Sequence, residues 1–85
     1  LKYAFIDNIM VNVSGILGGA GIVADNVRLL KVSQSMFGYS VNARPAFKLT
    51  NNSKVEASGI TLGASVFDAT MDGTSSAVLD DCDGC

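Results

Sequence analysis

"NSKVEASGITLG" (residues 52–63) opens on polar residues, runs through an alternating apolar stretch and closes on Leu-Gly. "NIMVNVSGILG" (residues 8–18) echoes it at Asn, Val, the Ser-Gly-Ile triplet and the closing Leu-Gly, with one residue inserted. A weaker third copy is "NVRLLKVSQSMFG" (residues 26–38). Asn-containing turn, strand-like run and closing glycine thus recur at spacings of about 18 and 26 residues, near one rung of a parallel β-solenoid. The same order of signals also describes any hairpin-rich β domain. The expected fold is therefore mainly β, a small antiparallel β-sandwich or meander slightly ahead of a short β-solenoid.

The rest of the chain fits that class. Within the opening stretch, Lys54 to Leu62 alternates as a half-buried strand does, with a bulge expected near Gly59. "KYAFI", "IMVNV", "VRLLKV", "AFKL", "ASVFDAT" and "SAVLD" are further short apolar or alternating runs separated by Asn, Gly, Ser and Asp. Residues 21–31 are the one place for a short helix, since Ile22, Val23, Val27 and Leu30 recur near helical spacing. Asp25 and Asn26 in that window disfavour it. Pro45 marks a turn or an edge strand. The expected organisation is one β-rich domain over residues 1–79, followed by an acidic Cys-x-x-Cys tail over 80–85.

Eighty-five residues make a thin core, since so short a chain buries only about 60–65% of its unfolded surface. Hydrophobic residues make up 48% and charged residues 16%, which excludes disorder and leaves fewer charges than a free globular surface carries. Much of the surface is thus expected to be covered by another protein. No uninterrupted apolar window reaches the roughly 18 residues of a transmembrane helix. No signal peptide is visible, yet the chain opens on Leu1, as expected of a processed product or a fragment.

All six basic residues (Lys2, Arg28, Lys31, Arg44, Lys48, Lys54) precede six of the eight acids, so residues 1–55 carry +4 and the remainder −6. That separation suggests contact between Asp80, Asp81 and Asp83 and the basic residues Arg28, Lys31, Arg44 and Lys48, within the chain or between copies. The basic residues are too few and too dispersed for nucleic-acid binding.

"VNVSGILGGAGIVADNVRLL" (residues 11–30) resembles the cofactor turn of the short-chain dehydrogenase family, with Ser14-Gly15, Gly19 and Gly21 at the family's spacing. The resemblance covers about 20 residues; it implies a strand at "IMVNV", a helix at "IVADNVRLL" and a pyrophosphate at that helix N-terminus. Three features depart from it. Neither Tyr3 nor Tyr39 has a lysine four residues on, "SMFGYSVNARPAF" offers no matching ribose contact, and a doubly wound domain needs more chain. The glycines are better read as serving tight turns or close backbone packing, and no cofactor is expected.

Histidine is absent, which removes the commonest general base and metal ligand and every serine–histidine or cysteine–histidine nucleophile system. No catalytic residue and no metal site is expected, and the chain reads as a non-enzyme. Cys82 and Cys85 suit an intrachain disulfide, worth roughly 2 kcal/mol on chain-entropy grounds and implying an oxidising compartment. Interchain pairing, a metal site and free thiols are the alternatives. Asp80, Asp81 and Asp83, with Asp72, offer closely spaced oxygen ligands for calcium, but "DCDG" is too short for a calcium-binding hand and a solvated acidic end is the preferred reading. Of two Asn-x-Ser sequons, Asn51 is the candidate for glycosylation, because Asn12 lies in an apolar run.

These features point to a structural or assembly subunit of an extracellular or exported complex, acting on other copies of itself or on a partner chain. The second reading is one chain of a processed secreted protein, such as a toxin or a carbohydrate-binding β-solenoid fragment. The third is a nucleotide-binding half-domain using Gly15, Gly19 and Gly21.

Overall fold

The computed structural model describes residues 2–12 and 20–85, which form strands and turns and contain no helix. The strands are β1 (Tyr3–Asp7), β2 (Met10–Val11), β3 (Ile22–Asp25), β4 (Leu29–Ser33), β5 (Met36–Phe37), β6 (Arg44–Thr50), β7 (Lys54–Leu62), β8 (Val66–Met71) and β9 (Ser76–Asp83). Every strand pairing among the described residues is parallel. One sheet stacks β1, β4, β7 and β9, with β2, β5 and the second half of β7 continuing beside them. The other stacks β3, β6 and β8.

The register shows how the chain winds. Tyr3 lies against Leu29, Leu30 against Val55, and Val55 against Ala77, so successive coils advance by 26, 25 and 22 residues. The second sheet keeps step, with Ile22 against Phe47 and Phe47 against Ala69. A chain that returns to the same sheet one layer on, always in the same direction, is a parallel solenoid. This overturns the antiparallel sandwich or meander. The polar turns do not send each strand back beside itself. Asn26, Asn51 and Asn52 take left-handed backbone angles (φ 55°, 55° and 62°) and swing the chain across to the opposite sheet.

The short helix allowed at most near residues 21–31 is likewise absent, replaced by β3, a turn and β4. Ile22 and Val23 are β-branched and suit a strand, and left-handed Asn26 ends it after Asp25. The apparent helical spacing mixed two faces: Ala24 and Leu30 point into the core, whereas Val23 points out. The strand–loop–helix order implied by the dehydrogenase resemblance fails with it. Gly15 and Gly19 lie outside the described residues.

Side chains form columns along the coil axis. Ala4, Leu30, Val55 and Ala77 make one inward column, and Ile6, Val32, Ala57 and Leu79 the next. Facing them are Ile22, Phe47 and Ala69, then Ala24 and Leu49, whose register continues to the exposed Met71. Val11, Phe37 and Leu62 fill the remaining side. Phe37 and Phe47 meet edge-to-face across the core, ring centroids 5.0 Å apart, both without solvent exposure. Such a pair adds roughly 0.5–1.5 kcal/mol beyond its burial. Gly21 sits at this contact, where an added Cβ would fall 2.7 Å from the Phe37 ring and 2.8 Å from the Ala46 carbonyl oxygen. Close packing, rather than a phosphate cradle, accounts for that glycine.

β7 occupies Lys54–Leu62 as its alternation indicates, and its irregularity does fall at Gly59 (φ 67°). It is not an insertion, however. Asn8, Gln34 and Asp81 share the left-handed angle in the neighbouring coils (φ 57°, 49° and 53°), so all coils bend at one stacked corner. Ser58 pairs with Asp80 and Ile60 with Cys82, leaving equal lengths on both strands.

Candidate functional site

Because side chains alternate across a strand, the odd-numbered residues of β1 and their register partners face outward. Phe5, Lys31, Glu56 and Val78 form one outer column, and Asp7, Ser33, Ser58 and Asp80 the next. Small serines beside long or bulky neighbours leave an open groove of about 630 Å³ along the face. Phe5 and Val78, both exposed, stand at its two ends. Between them, Glu56 holds Lys31 at 3.9 Å and Lys54 at 3.3 Å. The Ser33 hydroxyl donates to Asp7 Oδ1 at 2.8 Å. The groove thus offers apolar ends, hydroxyls, carboxylates and an ammonium group. That set suits reversible contact with a polar ligand or another protein surface.

A second polar cluster lies at the corner between β3 and β4 and its counterpart one coil on. Ser53 is buried; its Oγ accepts the Val27 N–H at 3.0 Å and donates to the Thr50 carbonyl at 2.7 Å. Outside it, Asp25 accepts from the Thr50 hydroxyl and the Asn51 carboxamide. Asp72 accepts from the Asn51 and Thr74 backbone N–H groups and the Thr74 hydroxyl. The Asn51 backbone bond and then the Thr74 hydroxyl hold the Asp72 carboxyl well below the usual carboxylate range.

Cys82 and Cys85 are joined, their Cα atoms 5.8 Å apart. Asp80 and Asp83 lie within β9 against Ser58 and Thr61, continuing the sheet; Asp81 takes its place in the stacked corner. Of the basic residues singled out with them, Lys31 lines the same outer groove as Asp80 without pairing with it, and the others lie elsewhere. Lys31 faces Glu56 on the outer groove, and Lys48 points outward between Val23 and Thr70 on the other sheet. Arg44 opens β6 and donates to the Ala43 carbonyl, and Arg28 stands at the β3–β4 corner. Among the described residues none of Asp80, Asp81 and Asp83 meets Arg28, Lys31 or Lys48. Asn51 is exposed, with its carboxamide on Asp25 and the sequon's Ser53 buried beneath it. No group of three His, Cys, Asp or Glu among the described residues is placed to hold a metal ion, and no helix there is long and apolar enough to cross a membrane.

Sequence reasoning singled out none of Ser33, Ser58 and Val78, read Phe5 only as a core or subunit contact and counted Glu56 only among the acids. Their common signal is the coil advance, which brings residues about 25 apart side by side; it becomes visible only once the register is known. Protein-family models, curated proteins and solved structures contain no match to this chain.

Proposed function

We propose that this chain is a non-enzymatic structural module of an extracellular or exported assembly, binding other copies of itself or a partner chain. The observation that carries this reading is the apolar exterior. Among the described residues Phe5, Met10, Val23, Tyr39 and Val41 are all more than 60% exposed, and six further large apolar residues are exposed to a lesser degree. Isolated surface apolar residues are ordinary, but so many on so small a solenoid mark surfaces that a partner covers. The bridged cysteines accord with an oxidising compartment.

The charge arrangement favours lateral contact. Arg28, Lys31, Arg44 and Lys48 all fall in the second coil, away from either end, while Asp80, Asp81 and Asp83 project from β9. Acids of one copy reach these bases on the side of another. Sedimentation velocity over a range of concentration and salt tests the reading. Association should grow with concentration, weaken with salt, and weaken in an Asp80→Lys/Asp81→Lys/Asp83→Lys variant. A monomer at every concentration, alone and with candidate partners, would overturn it.

The groove bounded by Phe5 and Val78 favours a second reading, a carbohydrate-binding fragment of a processed secreted protein. Its aromatic end, hydroxyls and carboxylates match a polyhydroxylated ligand. Loss of oligosaccharide binding in Phe5→Ala, with association unchanged, would favour this reading over assembly.

A further inference from the structure

We propose that Lys2, Arg28, Asn26 and Asn52 form a binding site for a tetrahedral oxoanion, a phosphate or sulfate group. The four residues line a cleft of about 300 Å³ at the corner where the chain leaves β3 and, one coil on, β6. The Leu29 N–H donates to the Lys2 carbonyl at 2.9 Å, and Tyr3 pairs with Leu29, so Lys2 and Arg28 are neighbours in consecutive coils. Their backbones are therefore about 5 Å apart, the ordinary spacing of paired strands.

Two basic residues thus stand side by side, with no acid paired to either among the described residues. Lys31 and Lys54 both hold Glu56, whereas neither Lys2 nor Arg28 makes an ion pair among the described residues. The acid next in sequence, Asp25, is engaged by Thr50 and Asn51. Both asparagines adopt left-handed angles (φ 55° and 62°). The Asn26 N–H donates to the Thr50 carbonyl, and the Asn52 N–H to the Thr74 hydroxyl. Neither carboxamide has a partner among the described residues, so both NH₂ groups remain available as donors. Two positive charges and two amide donors around one small cleft match a dianionic group with several acceptor oxygens. Arginine supplies paired N–H donors and lysine a compact charge.

The group could arrive free or as an ester on a larger molecule. Titrations with inorganic phosphate, inorganic sulfate, and a sulfated oligosaccharide beside its desulfated form separate these sources. Sodium chloride at matched ionic strength serves as the control. The side-chain amide resonances of Asn26 and Asn52, followed by NMR, should shift and saturate with phosphate or sulfate and remain unmoved by chloride. Arg28→Gln and Lys2→Gln should each weaken binding by about tenfold or more, as loss of one charge-assisted contact does. Lys31→Gln, on the outer groove, should leave it unchanged. Equal binding by Arg28→Gln, or no saturation by either anion, would overturn the proposal. So would anion binding that appears only after Asp80→Asn/Asp81→Asn/Asp83→Asn, because the cleft would then be holding a second copy's carboxylates.

Discussion

At the residue scale, the corners matter more than their small side chains suggest. Ser53 replaces water for a buried Val27 N–H and a part-buried Thr50 carbonyl. Ser53→Ala removes the acceptor and leaves that donor unsatisfied, which should cost about 1–3 kcal/mol in urea unfolding. Asp72 is exposed, yet its hydrogen bonds favour the ionised form. Its folded pKa lies below its unfolded one, so it contributes stability above the unfolded carboxylate value of about 4. That contribution is lost as pH falls from there through the folded value. Asp72→Asn should therefore lower stability at neutral pH and flatten its decline in acid, as read from urea midpoints against pH. Of these corner contacts the sequence shows only that the residues are turn formers. That Ser53 meets the Val27 N–H and Asp72 the Asn51 N–H depends in each case on a segment more than 20 residues away.

At the element scale, the seven strand-like runs of the sequence all contain strands of the structure, because apolar alternation reports a half-buried strand whatever its partner. β3 and β5 were missed: β3 is four residues read as helix, and β5 is only Met36–Phe37. Sequence identity also pointed to the wrong alignment. The stronger echo matches Asn8 with Asn52, but the register sets Met10 beside Met36 and Met36 beside Thr61. The weaker copy, residues 26–38, is the true neighbour, stacking on 51–63 with Leu30 against Val55 and Phe37 against Leu62. A buried column asks only for apolar residues of complementary size, so stacked coils need not share sequence. β9 depends on its end. Cys82 packs against the core and its disulfide closes the last turn. Cys82→Ser/Cys85→Ser should lower stability by about 2 kcal/mol, and dithiothreitol should shift the parent's melting temperature but leave the variant's unchanged.

At the scale of the whole molecule, winding turns order along the chain into order along an axis. The basic and acidic halves of the sequence become layers, with most of the basic charge in the second coil and Asp80, Asp81 and Asp83 in β9 and its corner. End-on stacking in register would set Asp80 of one copy beside Asp7 of the next, since the outer column begins with Asp7 and ends with Asp80. Like charges directly opposite across paired strands are destabilising. Side-on contact avoids that pairing, which is why the salt-sensitive association proposed above is lateral.

By itself the sequence determined that the chain is mainly β, where its longest strand runs, where that strand bends, and that its surface is poor in charge. These follow from local periodicity, composition and backbone preference, which need no partner. Only the tertiary structure decided that the strands are parallel, that Gly21 yields space to a phenylalanine, and that Lys2 meets Arg28 while Phe5 shares a groove with Val78. Each is a contact between coils. Its register is set by how buried columns fit together, and no local pattern records it.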